Sequence, residues 1–505
     1  MSAENPISRT TRPSLLRNWL SLTGLVIVIG SLFSFFLLFM LDLLAHGSNP
    51  YMGILTFVVA PAFLILGLLL TGIGALRERR KLGQAAGGLV PKMVVDLTRP
   101  RDRKIMGGFI AGSLVFLLLT AMGSYHTYHF TESTTFCGQT CHTVMKPELI
   151  TYQHGPHARV SCVECHIGPG AQWFVKAKIS GTYQLYATTF NKYPRPVPTP
   201  IHNLRPAQET CEQCHWPKKF VGNLDRTYNY FLGDETNTPF TVRLTMNVGG
   251  GDPTHGPEGG IHWHMNVKNN KVEYIATDEK RQVIPWVRII DAQGVVTEFR
   301  TKGFTNDLNR YTIRTMDCMD CHNRPAHMYK SPDKAVNLAI SLSRPDSLRI
   351  DRALPWIKTN ALYALTRPYT NETQAMQGIA TILAERYPAE KFSKEQPGVR
   401  AAIDTVQKIY KENFFPEMKA SWDQYPDNIG HMIFPGCFRC HDGKHVASDG
   451  KRSIKASDCN TCHTILAQGR GDELQKLSVG GMKFAHPGDD LDENPSCNDC
   501  HNGGL

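Results

Sequence analysis

Three long stretches without a charged side chain stand out near the N-terminus: 19–41, 51–76 and 105–125, of 23, 26 and 21 residues. A helix needs about 20 apolar residues to cross a bilayer core, so the pattern predicts three spanning helices and a membrane anchor over residues 1–125. Three such runs in one block do not suit buried core helices, and no cleavage site follows the first, so it does not read as a removed leader. Beyond residue 125 the pattern shortens. Runs rich in Val, Ile, Tyr and Phe at 271–276, 282–290 and 294–300 predict strands within a β-rich segment, about 220–310. From 331 to 412 apolar positions recur at helical spacing, opened by Ser331-Pro332-Asp333, a helix start signal. The remainder, 421–505, is short, rich in Gly and Asp, and too small to enclose a sizeable apolar core.

All fourteen cysteines fall into pairs, and each pair is followed at once by histidine. Six read C-x-x-C-H: Cys162/Cys165-His166, Cys211/Cys214-His215, Cys318/Cys321-His322, Cys437/Cys440-His441, Cys459/Cys462-His463 and Cys497/Cys500-His501. The first in the chain, Cys137/Cys141-His142, has one extra residue between its thiols. Zinc knuckles, redox dithiols and disulfide frameworks use similar spacings, but none needs a histidine after every pair. Covalent haem c does, because two thiols must reach the vinyl groups of one porphyrin while the adjacent imidazole meets the iron. The seven motifs, numbered 1 to 7 in chain order, predict seven covalently attached haem c groups with the motif histidines as proximal iron ligands. The expected fold class is a mainly α and irregular multihaem cytochrome c, with three N-terminal transmembrane helices and a β-rich insertion between the third and fourth haem motifs. In 421–505 the haems themselves would supply the core.

A composition of 42% hydrophobic and 9% aromatic residues excludes a disordered or collagen-like chain. The formal charge of +10 would suit nucleic acid, but its distribution changes that. Residues 1–104 hold 12 basic and 5 acidic side chains, leaving 43 against 40, or +3, for the rest. Two propionates on each haem, partly offset by ferric iron, make the haem-bearing part anionic, so a cationic protein is the expected partner and nucleic acid is not. Arg9, Arg12 and Arg17 precede the first run, and nine more basic residues lie from Arg77 to Lys104. The positive-inside rule places both segments in the cytoplasm and everything after Tyr125 on the opposite side.

Each haem iron takes a second axial ligand unless its site is open for chemistry, and thirteen histidines remain beyond the motifs. In the tail, His431, His445 and His486 match motifs 5 to 7 one for one, which predicts three bis-histidine, electron-transfer centres. For the first four motifs the pool is Met145, His154, His157, His202, His255, His262, His264 and His327. His157 and His327 each lie five residues from a motif, too near to fold back on it, and are expected to ligate neighbouring haems. His262 and His264 alternate along an expected strand and share a face, where one ligates and the other supports it, or either is an ordinary buried histidine.

The stretch CGQTCHTVMKPELITYQHGPHARVSCVECHIGPG, preceded by a membrane span and followed by ETCEQCH and CMDCHN, resembles the NapC/NirT/NrfH family of membrane-anchored quinol-oxidising multihaem cytochromes. The resemblance covers roughly residues 105–325, and the spans and motifs together are similar to those of inner-membrane heptahaem cytochromes of metal-reducing bacteria. It implies oxidation of menaquinol beside the first haem and passage of electrons to periplasmic c-type cytochromes, from a bacterial inner membrane with the N-terminus cytoplasmic and the haem part periplasmic. It also implies Met145 as a ligand of the first haem, although the family usually has C-x-x-C-H-x-M and both intervals are one longer here. His157 matches a histidine that ligates a partner haem, and Lys176 and Lys178 lie where the family places a lysine near the quinol. The acidic residue expected after them is absent from SGTYQLY.

A quinol site needs groups at the membrane surface that hydrogen-bond the ring oxygens and accept two protons. Tyr125, His126, Tyr128, His129 and Glu132 cluster at the end of the third span, with His126 and His129 on one helical face. The same residues also suit an interfacial aromatic belt. The expected organisation is a three-helix anchor (1–125), a four-haem module carrying the β-rich insertion (126–330), a helical connector (331–420) and a three-haem module (421–505). The expected activity is that of a quinol:cytochrome c oxidoreductase. Two rivals remain: a terminal reductase of a small nitrogen oxyanion, and a non-catalytic wiring subunit of a larger quinol-oxidising membrane complex.

Overall fold

The computed structural model describes residues 15–16, 18–44, 55–85, 98–140, 142–168, 171–201, 205–216, 221–250, 259–265, 270–304, 307–342, 349–455, 461–488 and 496–504. Arg9, Arg12, Arg17, Cys141, His202, His255 and Cys459 lie outside the described residues, as does the side chain of His142. The chain divides into two units, Met1–Thr140 and Cys141–Leu505.

In the first unit three helices are long and apolar enough to cross a membrane. They are α1 (Trp19–Leu44), α2 (Ala60–Ala85, led in by a π-helical turn at Leu55–Val59) and α3 (Pro100–Thr131). Pro100 suits the first turn of α3, where its missing N–H would be unpaired anyway. α1 and α2 approach closely through small residues: a Cβ at Gly67 would lie 2.9 Å from the Gly24 carbonyl oxygen and from Val28. Asn18 Nδ2 donates to the Gly74 carbonyl at 3.2 Å and Ser21 Oγ to that of Thr71 at 3.1 Å. Such close packing and interhelical hydrogen bonds replace the hydrophobic drive that lipid removes. α3 joins through Gly123, which leaves room for the Phe57 ring, itself packed with Phe35 and Phe39.

The second unit opens with α4 (His142–Gln153) and α5 (Ala171–Thr189). Among the described residues nine strands follow: β1 (Leu224–Phe231), β2 (Pro239–Met246), β3 (Lys271–Ile275), β4 (Trp286–Ile290), β5 (Val296–Arg300), β6 (Arg314–Thr315), β7 (Asp442–Ala447), β8 (Ser453–Lys455) and β9 (His463–Gly469). They form two antiparallel sheets, ordered β1-β2-β9 and β6-β3-β4-β5-β7-β8. β3, β4 and β5 fall within the expected runs. The tail departs from expectation: β9 pairs with β2 from His463 opposite Met246, and β7 pairs with β5 at Ala447 opposite Phe299. Segment 421–505 therefore completes both sheets of 220–310 instead of standing as a separate module, because β2 and β5 would otherwise present unpaired backbone groups.

Between them lies a helical bundle of α6 (Pro332–Ser341), α7 (Ile357–Leu365), α8 (Glu372–Arg386) and α9 (Gln396–Asn413). Ser331 caps α6 by accepting from the Lys334 N–H, with Pro332 in the first turn, as the start signal requires. Val336, Ile357, Ala361, Ile379, Leu383 and Val406 are fully enclosed where these helices meet. Burying each large side chain contributes about 1.5–3 kcal/mol, so this bundle is the chain's largest haem-independent core among the described residues. A second apolar layer under the larger sheet joins Val272, Tyr274, Ile284 and Val287 with Trp263 and Cys440.

Candidate functional site

The motifs are built into element ends. Motifs 2, 4 and 7 form one-turn helices, Cys162–His166, Cys318–Cys321 and Cys497–Cys500, while β7 starts directly after His441 and β9 starts at His463 itself. In motif 6 the pair Cys459/Cys462 is described only from its second thiol: Cys459 lies outside the described residues, and Cys462 is half-buried at the entrance to β9. The Cys462 carbonyl accepts from the Asn247 N–H at 2.9 Å, one residue beyond the end of β2. This corrects the placement of Cys462 in a self-contained tail module, because its backbone is held by the segment between motifs 3 and 4.

In motif 4 the intervening Asp320 is nearly inaccessible and is the hub of its surroundings. Its Oδ1 accepts from the Tyr274 hydroxyl at 2.6 Å, Arg314 Nε at 2.8 Å and Arg281 Nη1 at 3.0 Å, and its Oδ2 accepts from the Asp317 N–H at 2.8 Å. From motif 5, Arg439 donates to the Asp320 carbonyl at 2.8 Å, clamping motifs 4 and 5 together.

Thiols of successive motifs are neighbours. Cys211 and Cys318 share a hydrogen bond that pushes the first pKa up and the second down. Burial lifts Cys321 to about 11, and Cys437 beside it adds to the rise. Burial likewise raises Cys165, with Cys214 among its charged neighbours. Motifs 2, 3, 4 and 5 thus follow one another in space as in sequence.

Six motif histidines each face one histidine from elsewhere in the chain. Ring centroids are 6.0 Å apart for His215 and His157, 6.3 Å for His166 and His327, and 6.4 Å for His322 and His262. They are 5.8 Å apart for His441 and His264, 6.2 Å for His463 and His431, and 6.0 Å for His501 and His486. A metal–imidazole bond is about 2 Å and a ring radius about 1.1 Å, so two imidazoles on opposite sides of one iron would have centroids about 6.2 Å apart. The six gaps fit that requirement.

Ring orientation fits as well. His157 Nδ1–H donates to the Pro325 carbonyl at 3.0 Å, His327 Nδ1–H to that of Glu148 at 2.9 Å, His264 Nδ1–H to that of Ile261 at 2.9 Å, and His262 Nδ1–H to that of Val248. Each bond fixes the tautomer that leaves Nε2 with a lone pair for metal. Burial lowers the pKa of His166, His264, His322, His431, His463 and His501, and takes His441 down to about 4. Neutral imidazole, the form that binds iron, is favoured at these seven. These residues therefore fit a haem group at each of the six motifs.

His445 does not. It is 1% exposed, its Nδ1–H donates to Asp442 Oδ1 at 2.8 Å and its Nε2–H donates to the Ile284 carbonyl at 2.6 Å, so neither nitrogen is left for iron. The one-for-one match of tail histidines to tail motifs is corrected accordingly: motif 5 faces His264. His154 is similarly engaged, by the Ile150 carbonyl at 2.8 Å and by Glu412 at 3.2 Å. A further correction concerns His262 and His264 themselves, which lie on a 3₁₀ turn, Ile261–Met265, and not on a strand. Gly260, at φ +87°, turns the chain there. Arg324, which sequence reasoning overlooked, makes a two-pronged pair with Glu148 at 3.0 and 3.2 Å between the rings of Tyr329 and Tyr425, bracing the loop that carries His327.

Met145 is half-buried on α4. At the end of α3, the Tyr125 and His129 rings stand edge to face with centroids 4.4 Å apart, His126 lies 5.9 Å from Tyr125, and both histidines are exposed. Glu132 is the C-cap of α3. In the second unit Lys176 lies over the Trp173 ring at 4.6 Å, and Lys178 shares helix α5 with it.

Residues 99–197 match the model of the NapC/NirT cytochrome c family, N-terminal region. The chain is 41% identical over 496 residues to the cytochrome c-type protein ImcH of Geobacter sulfurreducens, an alignment spanning 96% of this chain and 95% of that protein. No solved structure matches.

Proposed function

From the premise that this chain belongs to the NapC/NirT cytochrome c family, as a membrane multihaem cytochrome of electron transfer, we propose that it is a menaquinol dehydrogenase of the bacterial inner membrane. It carries seven haem c groups and hands electrons to periplasmic c-type cytochromes. The observation that carries this reading is the set of facing histidine pairs, together with three helices long enough to span a membrane. His157 with His215, His327 with His166, His431 with His463, and His486 with His501 hold four of the irons. Haem bound there would supply one-electron chemistry, which oxidation of a quinol, with its release of two electrons and two protons, requires. Paired imidazoles leave no open position for a small substrate at those irons, which argues against a terminal nitrogen-oxyanion reductase.

Residues of α3 do the proton work in this reading. Tyr125 holds the His129 ring against its face, and His126, His129 and Glu132 bind the quinol oxygens and accept the protons at the membrane surface. In the second unit, Lys176 and Lys178 on α5 are quinol-binding groups on the family resemblance alone. At motif 1, His142 would be the proximal ligand, with Met145 a distal candidate on the family resemblance. Basic residues before α1 and between α2 and α3 keep those segments cytoplasmic and put the haem part in the periplasm.

The test is stopped-flow haem reduction of the detergent-solubilised protein by a menaquinol analogue. Fast reduction in the parent, slowed at least tenfold by His126→Ala or His129→Ala with haem content intact, is the expected result. Full reduction by dithionite with none by quinol would overturn the reading and leave the wiring subunit in its place.

A further inference from the structure

Two of the six facing pairs meet on a single turn of chain. His262 faces His322 of motif 4 with ring planes 5° apart, and His264 faces His441 of motif 5 with planes 80° apart. We propose that His262 and His264 are both axial ligands, each to a different haem, so that the Ile261–Met265 turn joins the iron of motif 4 to that of motif 5. The turn is then the electron junction between the N-terminal and C-terminal haems. This rests on haem attachment at those two motifs in the reading above and is independent of quinol oxidation.

The turn geometry carries the assignment first. A 3₁₀ helix has three residues per turn, so side chains two apart diverge by about 120°, whereas a strand would send both to one side. Divergence is what two separate irons need. Second, each ring is held by a backbone carbonyl on Nδ1, Val248 for His262 and Ile261 for His264, which fixes the orientation in which it faces its motif histidine. Third, the turn is rigid. Trp263, between the two histidines, packs into the layer under the larger sheet beside Cys440 of motif 5. The Ile261 N–H donates to the Asn247 carbonyl at 2.8 Å and the His262 N–H to that of Gly249 at 3.1 Å. Motifs 4 and 5 are also held together without the turn, by Arg439 donating to the Asp320 carbonyl and Asn428 Nδ2 donating to the same oxygen at 3.0 Å. Two haems attached at these motifs would therefore be within reach of one turn.

The experiment uses the full-length, haem-loaded protein in detergent, oxidised and without quinol, read by low-temperature electron paramagnetic resonance with haem number checked by mass. His262→Ala and His264→Ala are each expected to convert one haem from low to high spin with all haems attached, and the double variant to convert two. Near-parallel imidazole planes give a rhombic low-spin signal and near-perpendicular planes a strongly anisotropic one, so the two single variants should lose different components. Added imidazole should restore each. Unchanged spin states in a fully loaded single variant, or loss of the same component in both, overturns the proposal. If an alanine variant fails to retain its haems, the Met variants decide: His262→Met and His264→Met should each show a new iron–thioether absorption band, and its absence in a loaded protein overturns the assignment. A chain that never accepts electrons from quinol leaves this result standing, and unchanged spin states leave quinol oxidation standing.

Discussion

His445 separates ligand counting from hydrogen-bond accounting. Its ring is 1% exposed and sits on β7, with Nδ1–H on Asp442 and Nε2–H on the carbonyl of Ile284, which precedes β4. Both partners are acceptors, so both ring nitrogens are engaged by the protein. Replacing it with alanine removes one hydrogen bond to a carboxylate, about 1.5–3 kcal/mol, and strands a buried carbonyl at about 1–3 kcal/mol. Relaxation and water entry recover part of this, so a net loss of about 2–4 kcal/mol is expected, smaller for His445→Gln, which can keep one bond. At roughly 2–3 °C per kcal/mol for a unit of this size, His445→Ala should unfold about 5–10 °C lower when heating is followed by far-ultraviolet circular dichroism. Low-spin haem number should stay at the parental value. A new high-spin haem with unchanged thermal behaviour would refute the reasoning, because it would make the ring a ligand and its two hydrogen bonds incidental.

Asp320→Ala leaves Arg281 and Arg314 without their shared carboxylate and Tyr274 without its acceptor, and should cost about 3–5 kcal/mol, seen as a lower unfolding midpoint, with Asp320→Asn intermediate. Cys137→Ala, in the stretched motif, should lower the measured haem mass by one group and leave the other six attached, whereas an unchanged haem count would remove motif 1 from the set. Gly67→Leu should force α1 and α2 apart at the Gly24 carbonyl, read as lost thermal stability in detergent, while the same change at Gly72, where nothing lies within 4 Å, should be tolerated. If the haem part is anionic, electron delivery to a cationic cytochrome should slow steeply as salt rises, measured by stopped flow, and a flat salt profile would contradict that charge balance.

What was legible in the sequence is what is local. Haem attachment needs two thiols and an imidazole within five or six residues, so such motifs stand out in a sequence, and a spanning helix needs only an uninterrupted apolar run. The cap at Ser331 and the strands β3 to β5 are local too. The facing histidines are a tertiary feature. His166 meets His327, which lies beyond two further motifs, and His441 meets His264, which comes from the segment between motifs 3 and 4. Matching tail histidines to tail motifs treated ligand supply as local, and His445 was the result. The strand reading of His262 and His264 failed for a related reason: alternation across five residues is too short to outweigh Gly260, whose positive φ starts a turn. Those two misreadings share a structural cause, since β7 and β9 of the tail complete sheets begun by β1 to β6, and this interleaving brings early histidines to late motifs. Cys462 shows the same interleaving at the backbone, where a tail motif is tied to Asn247 just past β2. A chain cut before residue 327 would leave motif 2 without its facing histidine, and one lacking 261–265 would leave motifs 4 and 5 without theirs. The facing of histidines in this protein is therefore a product of the completed fold, and the sheets hold histidines distant in sequence in register.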